Sequence, residues 1–437
     1  MTSPKVINRW LVVAGGIVVQ VCLGAIYAWS AFTAKLTAAP YAFTKTQTQV
    51  IFSVGLLTFA VVMALVAGRW QKKSGPRIVT LTGGLVLGLG YLVAGFGGSS
   101  FGVILLGVGI LGGAGIGLAY VCPIAALVKW FPDKKGMITG LAVAGFGFGA
   151  LIWVKLTGGF QFGPVNLTPG WKGLYGAGWT VNHVFLLYGV LFAVLVSLGS
   201  LVMVNPPAGW QPEGWTPPAA TASSGGVVFW PSEMMRTAQF WELFIIFTVG
   251  SLAGLMVIGI ISLFGVEALT ENGMPKEQAA VVAATAMGLF YALCNGLGRI
   301  VWGTISDKLG RKPSIALMSL IQGVVMIFFY FMGGDEWGLY LSAALIGFNF
   351  GGNFALFPAI TADLFGNQNI GVNYPWVFLS YGVGGVVGPI LGGFMGDRGA
   401  WAGALIPAGI ACLVAAAVAL AIHPPTKAVT EAKPAPA

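Results

Sequence analysis

The side chain most in need of a chemical explanation is Arg299. It lies in the apolar run that begins at Gly288, with Asn295 one helical turn earlier as its only strongly polar neighbour. Eight residues later the run ends in Asp307-Lys-Leu-Gly-Arg-Lys312. At a spacing of four, Asn295 and Arg299 share one helix face. An arginine in hydrocarbon costs at least about 3 kcal/mol and requires a partner, a hydrated cavity or an anion. No acidic residue stands within an apolar run where it could neutralise this one. An anion-binding cavity is therefore the leading expectation. Capping of backbone carbonyls beside Gly296 and Gly298 is the structural alternative.

The elements that must position Arg299 follow from composition. Of 437 residues, 57% are hydrophobic and 8% charged, with a mean hydropathy of +0.86. Soluble domains are roughly a quarter charged, so the chain reads as a polytopic membrane protein. A spanning helix needs about 20 apolar residues. That ruler predicts twelve helices near 8–32, 47–69, 77–97, 101–128, 137–157, 182–204, 241–265, 277–303, 313–333, 337–362, 371–396 and 401–422. The first lacks a small-residue cleavage pattern and is expected to be retained. Strand-type alternation is missing, which excludes a β-barrel.

The long polar stretch after the sixth run carries Pro206-Pro207, Pro217-Pro218 and Ser223-Ser-Gly-Gly226. Such composition predicts a linker. The expected organisation is a six-helix bundle over 1–205, a cytoplasmic linker over 206–239, a second six-helix bundle over 240–423 and a cytoplasmic tail over 424–437. A short interfacial helix is expected from Met234 to Trp241.

The net charge of +9 is distributed by side rather than clustered for nucleic acid. With the N-terminus inside, 15 of the 22 Lys and Arg fall inside, six outside, and Arg299 between. The positive-inside rule then places both termini in the cytoplasm of a cell whose inner membrane holds the chain. Cys22, Cys122, Cys294 and Cys412 all fall in apolar runs, and His183 and His423 lie far apart. Neither set predicts a metal site or a disulfide framework. No phosphate-binding loop, nucleophile elbow or zinc spacing occurs, so no enzyme activity and no cofactor are expected.

The two halves repeat a motif. Gly68-Arg-Trp-Gln-Lys-Lys-Ser-Gly75-Pro-Arg77 follows the second run, and Gly303-Thr-Ile-Ser-Asp307-Lys-Leu-Gly310-Arg311-Lys follows the eighth. Both are read as turns between helices. Duplicated halves point to a transporter with its substrate site between them at mid-membrane. The second copy resembles the loop signature of the major facilitator superfamily, G-x-x-x-D-[RK]-x-G-[RK]-[RK], at every position. The first departs from it, with Lys72 for the aspartate and Pro76 for a basic residue. The resemblance implies a conformational latch of Asp307, Arg311, Gly303 and Gly310, mirrored by Gly68, Gly75 and Arg77.

A narrower resemblance is carried by Tyr27-Ala-Trp29, Gly113-Ala-Gly-Ile-Gly117 with Tyr120, Lys129-Trp-Phe-Pro-Asp133-Lys-Lys-Gly136, Arg236-Thr-Ala-Gln-Phe-Trp241, Leu356-Phe-Pro-Ala-Ile-Thr-Ala-Asp363-Leu-Phe-Gly366 and Asn373-Tyr374. These are similar to the oxalate/formate antiporter family, which is related to the monocarboxylate transporters. The resemblance implies that Arg299 binds a substrate carboxylate. It also puts Tyr381 where the oxalate exchanger carries a second cation, and Asn295 where the lactate carriers carry an aspartate. One cation suits a monocarboxylate, and proton coupling through a carboxylate at 295 is excluded.

On helices that line the cavity in that superfamily fall Tyr27, Tyr120, Tyr291 and Tyr381. A phenol offers an anion a hydrogen bond without another charge, although aromatic packing explains such residues equally well. Tyr120 and Tyr381 have small neighbours that leave space. Asn349 and Asn353 share a helix face and either line the pathway or bond a neighbouring helix, the latter preferred. Phe350, Phe354 and Phe357 read as gate, wall or core. Lys155 is expected to extend to the interface. The function expected is a monomeric secondary transporter of small monocarboxylate anions, of the lactate or pyruvate type, working by alternating access. Protons are the candidate coupling ion. An oxalate/formate-type exchanger is the alternative in the same class. A membrane sensor that binds without flux is the alternative from another, and the short tail after Ala421 weighs against it.

Overall fold

The computed structural model describes residues 7–133, 135–158, 173–207, 210–212, 214, 228–366 and 369–425. Most of the expected linker and the tail beyond Pro425 lie outside the described residues. Among the described residues, twelve helices are long and apolar enough to cross a membrane: α1 Arg9–Leu36, α2 Lys45–Ser74, α3 Pro76–Phe96, α4 Phe101–Trp130, α5 Lys135–Gly158, α6 Val181–Ser200, α7 Ala238–Glu271, α8 Lys276–Leu309, α9 Arg311–Met332, α10 Glu336–Phe365, α11 Ile370–Gly396 and α12 Ala402–Ala421. No strand occurs among the described residues. Large apolar side chains such as Phe96, Phe331 and Trp337 point outward, as a hydrocarbon solvent permits. The chain is a multi-pass membrane protein.

Two expectations of local structure are corrected. The repeated motif is not a turn between helices, because α2 runs on to Ser74 and α8 to Leu309. The helix breaks only at the motif's second glycine. Gly75 has φ +79 and ψ 164, and Gly310 has φ +93 and ψ 158. A side-chain-bearing residue is strained there, so glycine fixes the break. Both halves thus end the helix by the same device, and α3 starts directly with Pro76 at its first position. The interfacial helix expected over 234–241 is replaced by one turn, Pro231–Met234. The spanning helix then begins at Ala238, where the Thr237 hydroxyl caps the Phe240 amide.

Pairing repeats between the halves. Within the first, α3 packs on α6 and α4; within the second, α9 packs on α12 and α10. Across the middle, α2 meets α11 and α5 meets α8, two contacts exchanged by the internal pseudo-symmetry. At the end distant from the termini the halves are tied by polar groups. Lys45 Nζ donates to both Glu267 oxygens at 3.0 and 2.7 Å and to the Gly396 carbonyl at 3.0 Å. It also stands 4.8 Å from the centre of the Trp401 ring. Trp401 Nε1 in turn donates to Glu267 at 2.9 Å. The Asp397 carboxylate accepts from the backbone amides of Lys45 and Thr46 at 2.7 and 2.9 Å, the exposed donors at the start of α2.

Candidate functional site

Arg299 sits on α8 at the contact with α5 and is 2% exposed. Its Nη1 donates to the Val143 carbonyl of α5 at 2.9 Å, and its Nε to Asn295 Oδ1 at 3.1 Å. The guanidinium carbon lies 4.1 Å from the centre of the Phe354 ring and 5.9 Å from that of Phe146. Face-on aromatic rings stabilise a cation by about 0.5–2 kcal/mol. The arginine therefore caps a backbone carbonyl, as the structural alternative expects, but on the opposite half rather than beside Gly296 and Gly298.

Two donors remain over. Arg299 Nη2 and Asn295 Nδ2 are buried N–H groups without a hydrogen-bond partner. They belong to side chains already bonded to one another. Leaving a buried donor unsatisfied costs about 1–3 kcal/mol, more when it is charged. Two such donors on neighbouring side chains match an acceptor with two oxygens, and a carboxylate is the smallest organic group that supplies them.

Close backbone approach makes this geometry possible. A Cβ on Gly296 would lie 2.1 Å from the Phe148 ring, and one on Gly147 3.0 Å from Asn295 Oδ1. Glycine at both positions leaves room for α5 and α8 to come near enough for Arg299 to reach Val143.

The tyrosines divide. Tyr27 and Tyr381 meet across the two halves, hydroxyl to hydroxyl at 3.1 Å. Tyr27 lies in a 3-10 stretch of α1, Gly24–Ala28, and is buried. The hydroxyls of Tyr27 and Tyr120 lie near the Arg299 guanidinium but make no hydrogen bond of good geometry with it. Tyr120 stacks near Phe378 and meets Phe146 edge-on at 5.2 Å. Tyr291 stands apart, at the end of a π-helical stretch, with its hydroxyl donated to the Gly254 carbonyl at 3.0 Å. The space expected beside Tyr120 and Tyr381 is filled by rings, since both are 5% exposed or less and lie against Phe59 and Phe378. Phe354 proves to be a wall of the arginine site, whereas Phe357 stacks on Phe247 at 4.3 Å.

Three participants carried no sequence signal strong enough to single them out. Val143 contributes a carbonyl, which every residue has. Phe146 and Phe59 were two among 29 phenylalanines; the glycines flanking Phe146, at 145 and 147, were the available clue. Asn349 behaves as expected of an interhelical bond, accepting from Trp302 Nε1 at 3.2 Å. The charged residues of the second motif form a connected group. Arg311 bonds Asp307 at 2.7 Å, Asp363 of α10 at 3.3 Å and the Ser306 hydroxyl. In the first half Arg77 is exposed and makes no ion pair among the described residues.

Twelve helices in two matched bundles, with a buried cation where the bundles meet, define a membrane carrier. The chain belongs to the Major Facilitator Superfamily, whose model matches residues 15–374 and 269–437. The MFS-type transporter YhjX of Escherichia coli is 29% identical, with 87% of this chain and 86% of that protein aligned. The oxalate:formate antiporter of Oxalobacter formigenes is 27% identical over 82% of this chain and 78% of its own. The apicoplast pyruvate carrier 1 of Toxoplasma gondii is 27% identical, with coverage of 86% and 82%. Among solved structures, a bacterial homolog of the human lysosomal transporter Spinster superposes with a TM-score of 0.65 at 16% identity, covering 94% and 96% of the two chains. The protein is thus a transporter related to carriers of pyruvate and of oxalate and formate.

Proposed function

We propose that this protein carries a small organic monocarboxylate, of the lactate or pyruvate type, by alternating access. The observation that carries the reading is the pair of unpartnered buried donors, Arg299 Nη2 and Asn295 Nδ2. A carboxylate placed between them would satisfy both, with the Phe354 face behind the guanidinium. Tyr27, Tyr381 and Tyr120 would supply the neutral hydrogen bonds that hold the rest of the anion, and Tyr291 would brace α7. The aromatic wall would reject larger polar solutes.

Asn295 is neutral in both the loaded and unloaded carrier, so a coupled proton would travel with the anion or through the hydrogen-bond network of Arg299. Asp307, Arg311, Gly303 and Gly310 would latch the second half, with Gly68, Gly75 and Arg77 as their weaker counterparts. The bundles over 1–205 and 240–423 would rock about the site, joined by the linker over 206–239. Cytoplasmic termini, an inner-membrane location and action as a monomer complete the proposal.

The test is uptake of labelled lactate into proteoliposomes, with and without an inward proton gradient, with pyruvate, oxalate and formate as competitors. Gradient-driven accumulation blocked by pyruvate is the expected result. Arg299→Lys should reduce uptake at least tenfold, because a point charge cannot reproduce the guanidinium fork. Undiminished transport by Arg299→Ala would overturn the assignment. The relationship to the oxalate:formate antiporter supports a second reading, obligatory exchange. Flux that occurs only when the vesicle lumen is preloaded with a carboxylate would select it.

A further inference from the structure

Inside the second bundle, away from Arg299, α7, α9, α10 and α12 enclose a cavity of about 10 Å³. Gln322, Asn349, Asn353, Gly250, Cys412 and Ala415 are among the residues that line it. Gln322 is 3% exposed and Asn349 1%. Neither the nitrogen nor the oxygen of the Gln322 amide has a hydrogen-bond partner, and neither does Asn349 Nδ2. Turning the Gln322 amide over exchanges its two ends and still leaves one donor and one acceptor open, so the deficit does not depend on that assignment.

Three unpartnered polar atoms in the core of a membrane bundle are costly, since no solvent reaches them from the lipid side. Their chemistry restricts what could satisfy them. The side chains lining the cavity carry no charge, which disfavours an ion. Both donors and an acceptor are open, so the occupant must donate and accept. The volume is about that of one water-sized sphere, and a buried water needs two to four polar partners. We infer that this cavity is a binding site for one water molecule, held by Gln322 and Asn349.

The site has a structural consequence for the arginine. Asn349 Oδ1 takes the Trp302 Nε1 hydrogen bond at 3.2 Å, and Trp302 lies one turn beyond Arg299 on α8. A water between Gln322 and Asn349 would extend that bond from α8 through α10 to α9. It would fix the Asn349 side chain in the orientation that holds Trp302. This makes Gln322 a positioning residue for the bundle behind the arginine, independent of which solute the carrier moves.

The direct test is a structure of the full chain in lipid nanodiscs, at a resolution that shows ordered water. A single isolated peak at roughly 2.7–3.2 Å from the Gln322 amide and Asn349 Nδ2 is expected. A map without that peak, or with Gln322 turned to bond Asn349 directly, overturns the inference. A paired substitution at Ala415 gives an independent reading. In Ala415→Ser a hydroxyl enters the cavity in place of the water and can bond the open amides; in Ala415→Cys a somewhat larger thiol displaces the water but bonds them weakly. The melting temperature of the Cys variant should fall below that of the Ser variant, by on the order of 2 °C. A Cys variant as stable as the Ser variant, or more so, would show that filling a dry cavity is the dominant effect, and the water site would be wrong.

Discussion

At the scale of the residue, Arg299 is held by three kinds of interaction at once: a backbone carbonyl, an amide oxygen and an aromatic face. Each is neutral, so the positive charge keeps its attraction for an anion. This distinguishes the site from a buried ion pair, in which a carboxylate side chain would already occupy the guanidinium. Asn295→Asp places a carboxylate against the arginine and should make uptake of an anion depend on protonation of that carboxylate. Flux should then fall more steeply with rising pH than in the parent, while the melting temperature is retained. The Tyr27–Tyr381 pair gives a second expectation. Tyr27→Phe and Tyr381→Phe each remove the same hydrogen bond, worth about 1 kcal/mol or roughly fivefold in apparent affinity. The double variant should lose little more than either single one, whereas additive losses would mean that each hydroxyl acts separately.

At the scale of the element, function depends on how near helix backbones come. Gly384 and Gly388 of α11 face α7, where an added Cβ would lie 2.5 and 2.3 Å from backbone oxygens. Those glycines serve packing within one half. Gly296 and Gly147 instead serve the meeting of the two halves. Gly296→Ala should force α8 away from Phe148 and lower both melting temperature and uptake, with a stability cost of about 1–3 kcal/mol. Gly303→Ala on the same helix is the control. Its Cβ would meet Ala355 at 3.6 Å, ordinary contact, so that variant should retain its melting temperature. Equal losses in the two would argue against the close-approach explanation.

At the scale of the molecule, the ties across the end distant from the termini set how readily that end opens. Lys45, with a side chain 22% exposed, reaches Glu267 and Trp401 of the other half, and Asp397 receives the first amides of α2. Exposed ion pairs contribute up to about 1 kcal/mol, enough to move a two-state equilibrium roughly fivefold. Spin labels at the exposed positions Ala39 and Ala400, in a background without the native cysteines, report on this end. Lys45→Met should lengthen and broaden the distance distribution between them, and Lys45→Arg should leave it near that of the parent. An unchanged distribution in Lys45→Met would mean that α2–α11 packing alone keeps this end closed.

The sequence by itself determined the membrane class, the twelve spans, the duplicated halves and the unusual position of Arg299. These depend on hydrocarbon burial, on the period and length of apolar runs, and on the cost of a charge in lipid, all of which are local properties of the chain. The apolar run is shorter than α8, because polar residues such as Asp307 and Lys308 end an apolar run without ending a helix. The glycine conformation at Gly310 does that. Only the tertiary structure decided which groups meet Arg299. Val143, Phe146 and Phe354 come from other helices, 156, 153 and 55 positions from it along the chain. It also decided that Tyr27 and Tyr381 pair while Tyr291 turns to a backbone carbonyl, because neighbours across helices follow from packing and not from spacing.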